Sequence, residues 1–280
     1  MARKKTTLTD LLNDLTFKTL FERYKLLAVN AFEWTGLPDG IKPRHLENYL
    51  FQKGRCIFFR DPEMSYMALE CSDGGHLNVN GDPLFYHATG HGYHKRFAAD
   101  DCVIIENNLL QLATEPFVMF YVNKLTEAER TMDVNVKSCK TPVVFACDDK
   151  DVLTFKRLFS MVDGNVPAIF ADKGLNLDAI QAYQTGAKFL GNDLMDYKRS
   201  VESDLLTFLG QNNTPVDKKE RLITDEAEAN NQMIEGFAEL QLEARQRACE
   251  AINEKWGLKI QVKRRGSDPV DKPVEDVDNA

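Results

Sequence analysis

Two stretches of this chain keep apolar residues on one helical face for about twenty residues each, and they restrict the fold more than anything else in it. After Thr114, a predicted N-cap with Pro116 in the first turn, come Phe117, Tyr121, Leu125, Ala128, Met132 and Val136. Steps of four and three stack these side chains along one side of an α-helix. A second run, from about Ala187 to Leu209, places Leu190, Leu194, Tyr197, Val201, Leu205 and Phe208 in the same way, and Gly210 ends it. A helix of twenty residues spans roughly 30 Å. Each carries a single apolar stripe, and faces left open after intrachain packing are covered in many proteins by further copies of the chain.

The stretch before these helices has a different period. Residues 7–34 read as a helix with Leu8, Leu11, Leu12, Leu15, Leu20, Tyr24, Leu27 and Phe32 recurring near helical spacing, stopped by Gly36 and Pro38. A shorter helix is expected from Pro43 to Lys53, with Gly54 as its left-handed cap. RCIFFR, SYMALEC and CVIIENN then read as strands, and LNVNGDPLFYHA as a hairpin turning at Asn80-Gly81. Strands this short and closely spaced predict a small antiparallel sheet or barrel.

Between the two long helices, the spacing predicts a strand at 142–147, a helix at 151–162, a turn at Gly164 and a strand at 167–171, a β-α-β insertion. Beyond Gly210 a polar loop leads to a third long helix from about Asn231 to Trp256, capped by Gly257. The strand LKIQVKR and an acidic tail follow. The tail reads as disordered. The fold class expected is mainly α with α+β parts.

Composition excludes several functions. At 43% hydrophobic and 28% charged residues, the 280-residue chain has the balance of a soluble protein. It contains no apolar run of the roughly 18–20 residues a membrane span needs. MARKKTTLTDLL lacks the apolar block of a secretory signal, so the expected location is the cytoplasm of the producing cell or a particle assembled there. Six scattered cysteines with no CxxC pair argue against structural zinc and disulfides. A net charge of −8 opposes general affinity for phosphate, so any DNA contact must be local, or the protein must surround DNA without gripping it. No Walker or GxSxG pattern occurs, and GHGYHK has the wrong spacing for a phosphate loop. The chain reads as a structural protein rather than an enzyme, with no cofactor. His87, His91 and His94 have the spacing of metal ligands, but a Gly-rich loop gives ligands little support, and a polar loop is the preferred reading.

Several segments, in collinear order, resemble one family. They are MARKK at the start, FEWTGLP (32–38), FFRDP (58–62), KTPVVFA (140–146), NVPAIFAD (165–172), DLLTFLG (204–210), DKKERLITDEAEANN (217–231) and ARQRACEAINEKWGLKIQVK (244–263). The chain is similar over residues 1 to about 263 to the portal proteins of small protein-primed podoviruses of the Bacillus-phage type. These are also called upper collar or head–tail connector proteins. The resemblance implies a portal fold with long stem helices, a small β-rich wing module and a β-α-β clip. It also implies a homododecamer at the unique head vertex, enclosing the channel for packaging and ejection of double-stranded DNA. Expected partners are the capsid protein, a lower collar or tail protein, a packaging ATPase and a packaging RNA where one exists; the virion is the expected location. By this resemblance, residues 1–112 and 230–263 form the arm and wing, 113–139 and 176–210 the stem, and 140–175 the clip. Residues 211–229 are the channel loop, and 264–280 the acidic tail.

The resemblance also suggests sites. Lys218 and Lys219 are either a solvated surface pair or, repeated around a ring, a basic girdle touching DNA phosphate without sequence preference. Lys198 and Arg199 are weaker candidates for the same role, with helix-surface salt bridges as the alternative. Arg3, Lys4 and Lys5 are candidates for contact with the packaging RNA or motor. The rivals to a portal are another collar or tail-adaptor protein and a monomeric nucleic-acid-processing enzyme.

Overall fold

The computed structural model describes residues 8–140, 143–146, 181–184, 188–213 and 224–266. Two compact units emerge, residues 1–127 with 198–280, and residues 128–197.

The first unit begins with α1 (Leu8–Val29), β1 (Phe32–Thr35) and α2 (Pro43–Lys53). The predicted first helix is corrected at its end. Asn30 donates its side-chain amide to the Leu26 carbonyl, and Phe32–Thr35 is a strand. That strand pairs antiparallel with β9 (Gln261–Arg264), Phe32 opposite Arg264 and Trp34 opposite Val262. Its partner lies more than 200 residues away, so local periodicity could not reveal it. The second helix ends as expected, with Gly54 at φ 78°. A Cβ there would lie 1.9 Å from the Gln111 carbonyl oxygen, so both the left-handed backbone and the close chain approach require glycine.

An antiparallel five-stranded sheet follows, built from β2 (Arg55–Asp61), β3 (Ser65–Asp73), β4 (Phe85–Gly90), β5 (Tyr93–Ala98) and β6 (Cys102–Glu106). Its order is β5-β4-β3-β2-β6. The chain does turn back at Asn80-Gly81 as expected, with Gly81 at φ 90°, an antiparallel bridge from Leu77 to Pro83 and β3 paired antiparallel with β4 beyond it. A second hairpin, β4–β5, turns at Gly92 with φ 71°. The polar loop expected around His87, His91 and His94 is thereby corrected, since His87 lies on β4 and His94 on β5, whose exposed basic residues mask the strand alternation.

One sheet face packs Ile57, Phe59, Cys71, Tyr86, Ala88, Phe97 and Cys102 together. The other face joins Cys56, Phe58 and Ile105 to α2, to the β1–β9 ribbon and to α5 (Thr224–Trp256). A further core joins α1, Phe51, the start of α3 (Glu115–Lys140) and the end of α4 (Gly191–Phe208). On α3 the buried residues are Val118, Val122, Leu125 and Ala128, while Phe117 and Val136 are exposed. The stripe therefore faces inward one residue away from its predicted start.

In the second unit β7 (Val143–Ala146) pairs antiparallel with β8 (Gln181–Gln184). This strand falls in the span 176–210 assigned from sequence to the stem. Asn135 accepts from the backbone N–H of Leu190 and donates to the Lys188 carbonyl. The helix expected at 151–162, the Gly164 turn, the strand expected at 167–171 and the tail beyond Gly266 lie outside the described residues. The third long helix starts at Thr224 rather than near Asn231, so the last residues of the expected channel loop, 224–229, are helical. The strong helix formers of DEAEA account for that.

Candidate assembly and DNA-channel surfaces

The polar centre of the first unit is an ion pair that sequence reasoning missed. Glu47 on α2 and Arg245 on α5 are both almost fully buried. Arg245 donates from Nε to Glu47 Oε1 at 2.9 Å and from Nη2 to Oε2 at 2.8 Å. Trp34 Nε1 donates to the same Glu47 Oε1 at 2.7 Å. The remaining guanidinium hydrogens reach the Asn107 carbonyl, Asn107 Oδ1 and the Gln241 carbonyl, and the guanidinium lies 4.2 Å over the Phe32 ring. Burying two charges is unfavourable unless every donor and acceptor is matched, and here the network matches them. The available signal was a charged residue among Ala244, Ala248, Cys249 and Ile252 on the inward side of α5. The network fastens β1, α2, the segment after β6 and α5 to one another.

A second carboxylate fixes the turn of the FFRDP segment. Asp61 Oδ1 accepts from the backbone N–H groups of Glu63 and Met64, and Oδ2 accepts from Tyr93 Oη at 2.8 Å and Lys95 Nζ at 3.2 Å. The Glu63 backbone N–H and the Tyr93 hydroxyl, with the Met64 N–H and Lys95, hold its carboxyl far below the usual carboxylate range, against the opposing effect of burial. Burial pushes the Tyr93 phenol up, and its bond to Asp61 adds to the shift.

The helical side of the same unit is open. Phe117 of α3 stacks on Phe208 of α4 with centroids 4.8 Å apart, and Phe208 meets Phe237 of α5 at 5.7 Å. Phe120, Met233 and Leu240 continue this seam and are more than half exposed. Exposed apolar side chains grouped on neighbouring helices make this face the candidate assembly surface.

The predicted site residues divide sharply. Lys198 and Arg199 sit on α4, Lys198 half-buried and Arg199 exposed, and neither is free of partners. Lys218 and Lys219, and Arg3, Lys4 and Lys5, lie outside the described residues. His87 and His94 stack as parallel rings with centroids 5.2 Å apart, and His94 shares a hydrogen bond with Thr89. Among the described residues no group of three or more His, Cys, Asp or Glu side chains is placed to hold a metal ion. No described helix is long and apolar enough to cross a membrane. Burial raises the thiols of Cys71 and Cys249 to about 12 and that of Cys102 to about 11, and it also pushes the Cys56 thiol well up.

Comparison with known proteins places this architecture. The model of the Phage Connector (GP10) family matches residues 3–267. The chain belongs to that family. It is a structural subunit of the phage head–tail connector, or portal, and a component of the virion at the head–tail junction. Solved structures similar to it include the portal and tail of bacteriophage P68, at 15% identity and a TM-score of 0.49, covering 93% of this chain and 91% of that one. An HK97-family portal protein from Corynebacterium diphtheriae gives 10% identity and a TM-score of 0.46, covering 94% and 96%. A chain of the virion of a gene transfer agent gives 12% and 0.46, covering 92% and 81%.

Proposed function

We propose that twelve copies of this connector subunit close into a ring around double-stranded DNA and conduct the genome during packaging and ejection. The observation that carries the ring is the open seam of Phe117, Phe120, Phe208, Met233, Phe237 and Leu240, in a chain whose family builds connectors. A seam with this much exposed apolar area suits a neighbouring copy, and heterologous contacts between identical chains close into rings. In the ring, residues 113–139 and the helical part of 176–210 form the stem. The clip is 140–175 extended through Gln184, whose strand pairs with β7. Residues 1–112 and 230–263 form the wing.

Lys218 and Lys219, repeated in every subunit, form a basic girdle that touches phosphate briefly, while the net charge of −8 per chain keeps DNA from adhering to the wall. Lys198 and Arg199 contribute more weakly. Arg3, Lys4 and Lys5 contact the packaging RNA or motor. Energy for translocation comes from a separate ATPase, and the chain itself has no catalytic role. The capsid protein and a lower collar or tail protein bind its outer surfaces, and assembly takes place in the host cytoplasm.

Native mass spectrometry tests the ring. Twelve subunits of 31.8 kDa give 381.6 kDa with a central hole by negative stain, and a monomer with metal-dependent nuclease activity overturns the reading. The girdle is tested by the Lys218→Ala, Lys219→Ala double variant. Its particles are expected to assemble and lose packaged DNA, and retention equal to wild type removes the loop from the mechanism.

A further inference from the structure

The chain leaves α4 along the side of α5. The Gly210 N–H donates to the Thr207 carbonyl and the Gln211 N–H to the Leu206 carbonyl, which closes the last turn of α4 with Gly210 at φ 66°. A Cβ on Gly210 would lie 2.7 Å from the Ala238 Cβ of α5, so the two backbones approach closely here. Arg264 of β9 donates to the Gly210 carbonyl from the other side.

Asn213 then turns its side chain back onto α4. Its amide donates to Thr207 Oγ1 at 2.6 Å, to Ser203 Oγ at 2.9 Å and to the Ser203 carbonyl at 3.0 Å. The Ser203 carbonyl can only accept, so the amide nitrogen faces α4 and the oxygen faces away. That oxygen accepts from Asn230 Nδ2 of α5 at 2.7 Å. Asn213 therefore bonds to both helices at once. Water would satisfy a half-buried asparagine nearly as well, so the main consequence of the network is geometric.

Residues 214–223, which include Lys218 and Lys219, connect Asn213 to Thr224, the first residue of α5. A chain spans at most about 3.6 Å per residue, so Lys218 stands within about 18 Å of the Asn213 backbone. With the Asn213 bonds broken, the last fixed point retreats to Gly210, and that radius grows by about 11 Å. We infer that Asn213 and Asn230 form a clamp that positions Lys218 and Lys219 for contact with DNA, by fixing how far these lysines reach from the helices. The inference rests on the reading of Lys218 and Lys219 as channel residues given above. Asn213 and Asn230 are positioning residues and act through the lysines.

The test uses the full chain carrying Asn213→Ala, with Asn230→Ala as a milder companion that removes only the bond between the helices. Limited trypsin digestion read by mass spectrometry follows cleavage after Lys218, Lys219 and Arg221, with Lys259, exposed elsewhere in the same unit, as the reference. Cleavage tracks the population of the opened form when opening and closing are fast. Asn213→Ala is expected to speed cleavage at the three loop sites at least about tenfold and leave Lys259 unchanged, with a smaller rise for Asn230→Ala. The double variant should match Asn213→Ala, because the second substitution has no bond left to break. Particles of Asn213→Ala are expected to contain rings of wild-type mass and to lose packaged DNA, as the Lys218→Ala, Lys219→Ala variant does. Loop cleavage at the wild-type rate overturns the clamp, and so does equal acceleration at Lys259, which reports general unfolding. Wild-type DNA retention by Asn213→Ala, where the lysine variant loses DNA, overturns the positioning role. Retention by the lysine variant as well removes the girdle reading, while faster loop cleavage still upholds the clamp.

Discussion

The first unit holds two interiors that solve burial in opposite ways. Around Glu47 and Arg245 every hydrogen-bonding group on the pair finds a partner, and Trp34, Phe58, Ile105 and Ile252 enclose the network. Between α3, α4 and α5 the buried residues Val122, Leu125 and Leu205 give way outward to Phe117, Phe120, Met233 and Leu240, all of them exposed. One interior is complete within a single subunit. The other is left open, and in the ring proposed above a neighbouring copy covers it.

The largest effect should come from breaking the closed interior. Arg245→Ala leaves the Glu47 carboxylate buried and unpaired and should cost about 3–5 kcal/mol, read by urea unfolding of the subunit. Phe120→Ser in the open seam should leave that unfolding curve within about 0.5 kcal/mol of wild type and reduce ring formation instead. Equal effects of the two substitutions on subunit stability would erase the distinction. Gly54→Ala comes next. Its Cβ would meet the Gln111 carbonyl at 1.9 Å and its φ is unfavourable for alanine, so a loss of more than about 1 kcal/mol is expected by the same measurement.

A smaller effect sharpens the comparison through pH. The Asp61 carboxyl titrates below its unfolded value of about 3.9. Its contribution is present above that value and is lost as pH falls below about 4 towards the folded pKa. Asp61→Asn should therefore lower stability at neutral pH and flatten the acid limb of a stability–pH profile below about pH 4. An acid limb unchanged by the substitution removes Asp61 from the account. Smallest is the response of the thiols. Cys56, Cys71, Cys102 and Cys249 are buried with raised pKa values, so at pH 8 they should label far more slowly than half-exposed Cys139 in mass-spectrometric mapping.

Local chemistry made much of the fold legible. Gly54 and Gly257 stand where the pattern ends a helix, and both have positive φ. The strands RCIFFR, SYMALEC and CVIIENN are present where their β-branched and aromatic runs predict them. The candidate site was less legible. Lys198 and Arg199 are on the helix expected, but the seam that suits assembly was hidden, because a stripe starting at Phe117 and one starting at Val118 have the same period. Only packing decides which of the two faces turns inward.

The sequence by itself determined the helix and strand periods, their stops, the acidic balance and the family, all properties of residues within a few positions of one another or of collinear motifs. The tertiary structure alone decided that Phe32 pairs with Arg264 across the chain and that Arg245 enters the core to meet Glu47. It also decided that Phe117, Phe120 and Phe237 remain outside. Each of these depends on which distant partner arrives. Burial and pairing are settled by contacts between remote segments, and no local spacing carries that information.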